Sequence, residues 1–254
     1  MTRLQTERQR LYLLPGTPPP EPGADLLPLL CPHGHTRAGV LSLARPADWD
    51  SLLRVWQGAQ ADLGLPAPAI TVNGVDGYQL WFSVLEPVPV GHMAAFLAGL
   101  RATYLAGIAP RRLAQWPASD APAPGMDTLA ALCVPAPQGA DRWSAFVTPD
   151  LARIFADDPW LDMAPADASQ ADVLAGLACA RPDVFEAACA RLWPAEPQRP
   201  ALTEPHWPTP QPQAPHPPAT PQDPETFLHQ VMNDPGAPLA LRIEAAKALL
   251  TVRP

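Results

Sequence analysis

Charge is scarce in this chain. Only 17% of its 254 residues are Asp, Glu, Lys or Arg, against about 25% in ordinary soluble domains. Lysine is nearly missing, since sixteen of the seventeen basic residues are Arg and Lys247 stands alone. The bias toward Arg, Ala and Pro fits a high-GC coding preference and carries no functional weight. Net charge is −8 at neutral pH. That excludes a broad electrostatic grip on nucleic acid and leaves room only for a local basic patch. No apolar run approaches the ~20 residues of a membrane span, so no membrane partner is expected. The basic start "MTRLQTERQR" lacks the apolar stretch that would follow in a signal peptide. Cys31, Cys133, Cys179 and Cys189 are scattered without a CxxC pair, and the expectation is a cytoplasmic protein with reduced thiols. A phosphate loop, GxSxG and HExxH are also missing.

Proline is abundant, at 37 residues, and it punctuates the elements. Gln9–Gly16 reads as a short strand that the following prolines end. Gly39–Arg45 reads as a better strand. Pro46 suits the first turn of a helix, in which Trp49, Leu52, Leu53 and Trp56 form one apolar face. Ala69–Gly74 and Tyr78–Leu85 read as a hairpin around Asn-Gly. A second amphipathic helix carries Met93, Phe96, Leu97, Leu100 and Tyr104, and Arg111–Trp116 is a fourth strand. This β-α-β-β-α-β order predicts an α+β fold: a split, ferredoxin- or RRM-like antiparallel sheet with both helices on one face and the other face open.

A helical extension follows. It holds a strand within Arg142–Val147, a helix with Thr148 as N-cap and Pro149 at its first position, and helices over Asp167–Ala180 and Pro182–Trp193. Residues 1–193 are thus one domain with a core at 39–116. Twelve of the 31 residues in 194–224 are proline, which predicts an extended, disordered linker. Residues 225–254 read as a short helical hairpin tail.

Period-two alternation assigns the sheet faces. Leu41, Leu43, Ile70, Val72, Leu80 and Phe82 should meet the helices. Ser42, Ala44, Thr71, Asn73, Gln79, Trp81 and Ser83 should lie on the open face. Trp81 suits stacking on a base of single-stranded nucleic acid, and Arg45, Arg111 and Arg112, at strand ends, suit phosphate. The alternative is a Trp81 covered by the Asp120–Leu161 region, with the arginines merely at the surface.

The stretch "VNGVDGYQLWFSVLEPVP" (Val72–Pro89) resembles the hairpin of archaeo-eukaryotic-type primases and the related replication proteins of plasmids and mobile elements. The resemblance spans about Gly39 to Trp116. It implies a first strand with two metal-holding carboxylates, a His on the hairpin and a third acidic motif. This chain has Ser42 and Ala44 at the carboxylate positions and Gln79 at the His position, and "RRLAQW" has no acid. Phosphoryl transfer needs metal to neutralise developing charge, and these side chains do not bind Mg²⁺. The expectation is therefore a degenerate, non-enzymatic domain with no cofactor, acting in DNA replication or transfer through weak contact with single-stranded DNA or nucleotide.

Other clusters invite simpler readings. Cys31, His33 and His35 in "CPHGH" have no fourth zinc ligand nearby and read as a surface loop. Cys179 and Cys189 read as core residues. Asp48 and Asp50 fall in a first helical turn, where negative charge is favoured. Asp157, Asp158 and Asp162 read as a solvated turn. In the tail, Phe227, Leu228, Val231 and Met232 form one stripe, and Leu239, Ile243, Ala246 and Leu250 a second. The segment "DPETFLHQVMNDPGAPLALRIEAAKALL" resembles one in small-terminase-like phage proteins and in proteins of integrative elements. That implies the alternative role of a DNA-packaging or adaptor protein whose tail self-associates or binds a protein partner.

Overall fold

The computed structural model describes residues 1–18, 26–31, 33–118, 130–193, 223–234, 236 and 239–251. The expected linker lies almost wholly outside them. The chain divides into two compact units, Met1–Pro197 and Gln198–Pro254.

The first unit is α+β and starts with a helix. Helix α1 (Arg3–Leu11) opens on a reciprocal cap in which Thr2 Oγ1 accepts the Gln5 N–H and Gln5 Oε1 accepts the Thr2 N–H. The strand expected at Gln9–Gly16 is absent. The capping box and the i, i+4, i+7 spacing of buried Leu4, Arg8 and Leu11 favour a helix, and its mostly polar sequence hides that pattern. A two-stranded ribbon joins β1 (Leu26–Pro28) to β6 (Ala130–Leu132).

The central sheet holds β2 (His35–Ala44), β3 (Ala69–Val72), β4 (Gly77–Pro89), β5 (Leu113–Trp116) and β7 (Ala145–Val147) in the spatial order β5-β2-β4-β3-β7, each neighbouring pair antiparallel. With α2 (Trp49–Ala61) between β2 and β3, and α3 (Val90–Tyr104) between β4 and β5, the first four of these strands reproduce the expected split β-α-β-β-α-β order. Strand β7 extends the sheet beside β3. Helix α2 begins after Pro46, not on it, because Asp48 caps it: Oδ1 accepts the Ser51 N–H at 2.9 Å and Oδ2 the Ser51 hydroxyl at 2.8 Å.

Cross-strand register puts Leu41 opposite Leu80 and Ile70 opposite Leu80, and Leu43 and Val72 both opposite Tyr78. This face is the main core, filled by Trp49, Leu52 and Val55 of α2 and by Met93, Phe96, Leu97 and Leu100 of α3. Helix α6 (Pro182–Leu192) adds Phe185, whose ring lies 5.0 Å from that of Phe96. A single-turn helix, α4 (Pro149–Ala152), follows β7, with Thr148 and Pro149 placed as expected but no side-chain cap bond.

The face expected to be open is covered over its apolar part, while Ser42, Ala44, Asn73, Gln79 and Ser83 on the same face are only half-buried. Val40, Ala69 and Trp81 join Leu4, Leu11, Tyr12 and Leu13 from α1 and the residues after it, Phe146 from β7, and Ala171 and Leu174 from α5 (Asp167–Ala175) in a second core. Period-two alternation sorts side chains between two sides of a sheet but is silent on what covers each side. The cover comes from α1, from β7 and from α5, which ends at Ala175, short of the expected Ala180.

In the second unit, α7 (Pro224–Asn233) and α8 (Leu239–Thr251) form a hairpin. Arg242 Nε donates to the Met232 carbonyl at 3.0 Å, satisfying one of the open carbonyls at the end of α7.

Candidate functional site

The β3–β4 turn is built on Asn73. Its Oδ1 accepts three backbone N–H groups, from Val75 (2.9 Å), Asp76 (2.9 Å) and Gly77 (3.0 Å), and its Nδ2 donates to Asp76 Oδ1 at 3.0 Å. Every polar atom of this side chain is spent on the turn. Gly74, at φ +79°, and Gly77, where a Cβ would strike the Leu43 carbonyl, complete it.

Gln79 has a structural partner set. Its Oε1 accepts the Thr71 hydroxyl at 3.1 Å and the Trp81 indole N–H at 3.1 Å. The polar row Ser42–Gln79–Thr71, which Phe146 continues on β7, lies beside the apolar row Val40–Trp81–Ala69, and Gln79 stitches the two together. Trp81 is 1% exposed, packed 5.2 Å from Tyr12 and 6.2 Å from Phe146. Its ring has no face to offer a base, which corrects its assignment as a stacking platform. The cover includes Phe146, within the 120–161 region weighed from sequence, but also the N-terminal helix.

Two of the three arginines have protein partners. Arg45 pairs with Asp76 at 3.1 Å. Arg112 donates to the carbonyls of Ala44 (3.3 Å) and Pro46 (3.0 Å) and approaches Asp48 at 3.5 Å. Arg111 is exposed at the end of the short 3₁₀ turn before β5. Burial pushes the Asp48 carboxyl up, but the bonds from Ser51 and the nearby Arg112 outweigh it and hold the carboxyl below its ordinary value. Asp48 is thus a cap, while Asp50 is an exposed partner of Arg153 at 3.1 Å.

At the positions that would hold metal, Ser42 Oγ faces the Tyr78 carbonyl at 3.5 Å and Ala44 has no ligand atom. Among the described residues no cluster of three His, Cys, Asp or Glu side chains is placed to hold a metal ion. Cys31 and His35 form a local turn, with the His35 N–H directed at Cys31 Sγ at 3.4 Å and His35 Nδ1 3.0 Å from the His33 carbonyl.

Three features escaped the sequence reading. Arg37 is 7% exposed in the bulge of β2. It donates to the carbonyls of Val84 (3.1 Å), Leu13 (2.9 Å) and Arg10 (3.0 Å), pinning the end of α1 to the sheet. Gln170 of α5 pairs with the open edge of β7, accepting the Phe146 N–H at 2.7 Å and donating to the Phe146 carbonyl at 3.1 Å. A cavity of about 250 Å³ lies between β4, α3 and α6, lined by Glu86, Pro89, His92, Phe185 and Glu186 among others, with His92 Nδ1 3.6 Å from Glu186 Oε1. On the same helix, the Cys189 thiol is pushed up to about 12 by burial and by Glu186.

On the hairpin tail, Leu228, Val231 and Met232 are half-buried while Phe227 is 54% exposed. In α8 it is Ala245 that is buried, at 5%, while Ile243 is 47% and Leu241 56% exposed. The covered side of α8 therefore centres on Ala245, not on the expected stripe through Ile243. The side chains of Leu239 and Leu250 lie outside the described set.

No protein-family model matches the chain, and no curated protein matches it.

Proposed function

We propose that this chain is a non-catalytic, cytoplasmic binding protein of a bacterial mobile element, in which the α+β domain is a scaffold and the C-terminal hairpin is the binding element. The hairpin and tail segments' resemblances supply the setting, in DNA replication, transfer or packaging. The observation that carries the reading is the surface of α8. Leu241 and Ile243 are two residues apart, hence on different sides of the helix, and both are about half exposed. A helix with apolar residues on several sides is one that an assembly buries. Helix α7 can cover only one side, and some thirty residues bury too little surface to be stable unaided. The occupant we assign is a second copy of the hairpin, because two such hairpins make a four-helix arrangement that covers the remaining apolar sides.

The filling of the second sheet face argues against a nucleic-acid role through Trp81, and the adaptor reading takes precedence over the primase-like one. Sedimentation equilibrium of the full chain tests it. Self-association that is lost in a Phe227→Asp, Ile243→Asp variant, with the melting of the first unit unchanged, supports the proposal. A wild-type chain that remains monomeric across the micromolar range overturns the assignment of a second copy and leaves a heterologous protein as the tail's occupant.

A further inference from the structure

Arg8 of α1 is 7% exposed, yet among the described residues no carboxylate oxygen lies within 4 Å of it. Its Nη1 donates instead to Cys133 Sγ at 3.1 Å. Its Nε is buried and has no acceptor. Cys133 follows β6 and is 6% exposed. A buried guanidinium without an anion is costly, and a neutral thiol is a weak acceptor. A thiolate meets the need, since adjacent Arg charge stabilises it. Burial pulls the Arg8 guanidinium below its ordinary range, and the nearby Cys133 and the more weakly acting Asp167 oppose that pull. Asp167, in the first turn of α5, is the one other charged group acting on Arg8 among the described residues.

We propose that Arg8 holds Cys133 as a thiolate and makes it a modification site for small, uncharged electrophiles, hydrogen peroxide above all. The thiolate sulfur attacks one peroxide oxygen, an S–O bond forms as the O–O bond breaks, and hydroxide leaves. Sulfur loses two electrons and the peroxide gains them. The product is a sulfenic acid or its anion, and its new oxygen gives the idle Arg8 Nε–H an acceptor. Low exposure restricts the reagent to small neutral molecules. This site is independent of the tail.

The test uses the full-length protein at about pH 6.5, two units below the ordinary thiol range. Absorbance at 240 nm, wild type minus Cys133→Ser, should show one thiolate. Timed iodoacetamide pulses read by peptide mass spectrometry should label Cys133 at least ~10-fold faster than Cys189, and peroxide treatment of the folded protein followed by unfolding in dimedone should mark Cys133 as the sulfenic acid. Arg8→Met, if folded by circular dichroism, should slow Cys133 labelling by ~10-fold or more. Absence of the 240 nm signal overturns the proposal without reference to the variant. So does Cys133 labelling no faster than Cys189, or labelling indifferent to Arg8→Met. If Arg8→Met does not fold, the wild-type absorbance and labelling decide.

Discussion

The indole N–H of Trp81 points at Gln79 Oε1, 3.1 Å away, and the ring lies against Tyr12 with 5.2 Å between centroids. One side chain thus joins the sheet to the N-terminal helix and the polar row to the apolar one. A surface recognition residue would be dispensable for folding; this one is not. Trp81→Ala should destabilise the first unit by about 3–5 kcal/mol, the usual cost of emptying a large aromatic site, read by denaturant unfolding. A loss under about 1 kcal/mol would mean the ring is not packed as described.

Arg37 makes the second junction. Replacing it with Met preserves much of the volume but leaves the buried carbonyls of Leu13 and Val84, and the part-buried one of Arg10, without this donor. Each orphaned group costs about 1–3 kcal/mol, so the loss should exceed about 2 kcal/mol. Hydrogen exchange should show α1 opening before the main core in this variant. Simultaneous loss of protection in both would place Arg37 in a single cooperative unit.

Asp48 should give stability a pH signature. Its carboxyl is held below the ordinary value, so its contribution is fully present above the unfolded value of about 3.9 and disappears as pH falls through the lower folded one. Asp48→Ala should cost about 1 kcal/mol at neutral pH, and the gap between variant and wild type should close toward pH 2–3. A gap that stays constant down to that range would exclude the ionised cap as its source.

Nucleotidyl transfer should be undetectable. Ser42 and Ala44 place no carboxylate on the strand, and the polar end of that sheet face is occupied by the Thr71–Gln79 bond. With Mg²⁺ or Mn²⁺ and labelled nucleotides, no incorporation above background is expected. Incorporation that is lost on substituting Ser42 would restore an enzymatic reading.

The order of strands and helices from β2 to β5 was legible because those segments carry strong period-two or 3.6-residue alternation with Pro and Gly at their ends. So was the side of the sheet that each residue takes, which follows from strand geometry alone. The capping role of Asp48 and the solvated turn around Asp157 were also local properties. What covers the second face was not legible. It depends on α1, a mostly polar helix whose few apolar positions matter only when set against Trp81, and on residues more than sixty positions away in β7 and α5. The partners of Gln79, Asn73, Arg45 and Arg112 were not legible for the same reason. A polar side chain at a strand end has the same appearance in sequence whether it faces solvent or a neighbour, and its hydrogen-bond partners are a matter of tertiary proximity. The Arg8–Cys133 pair is the extreme case. Its members stand 125 residues apart, and only the tertiary fold brings the guanidinium onto the sulfur.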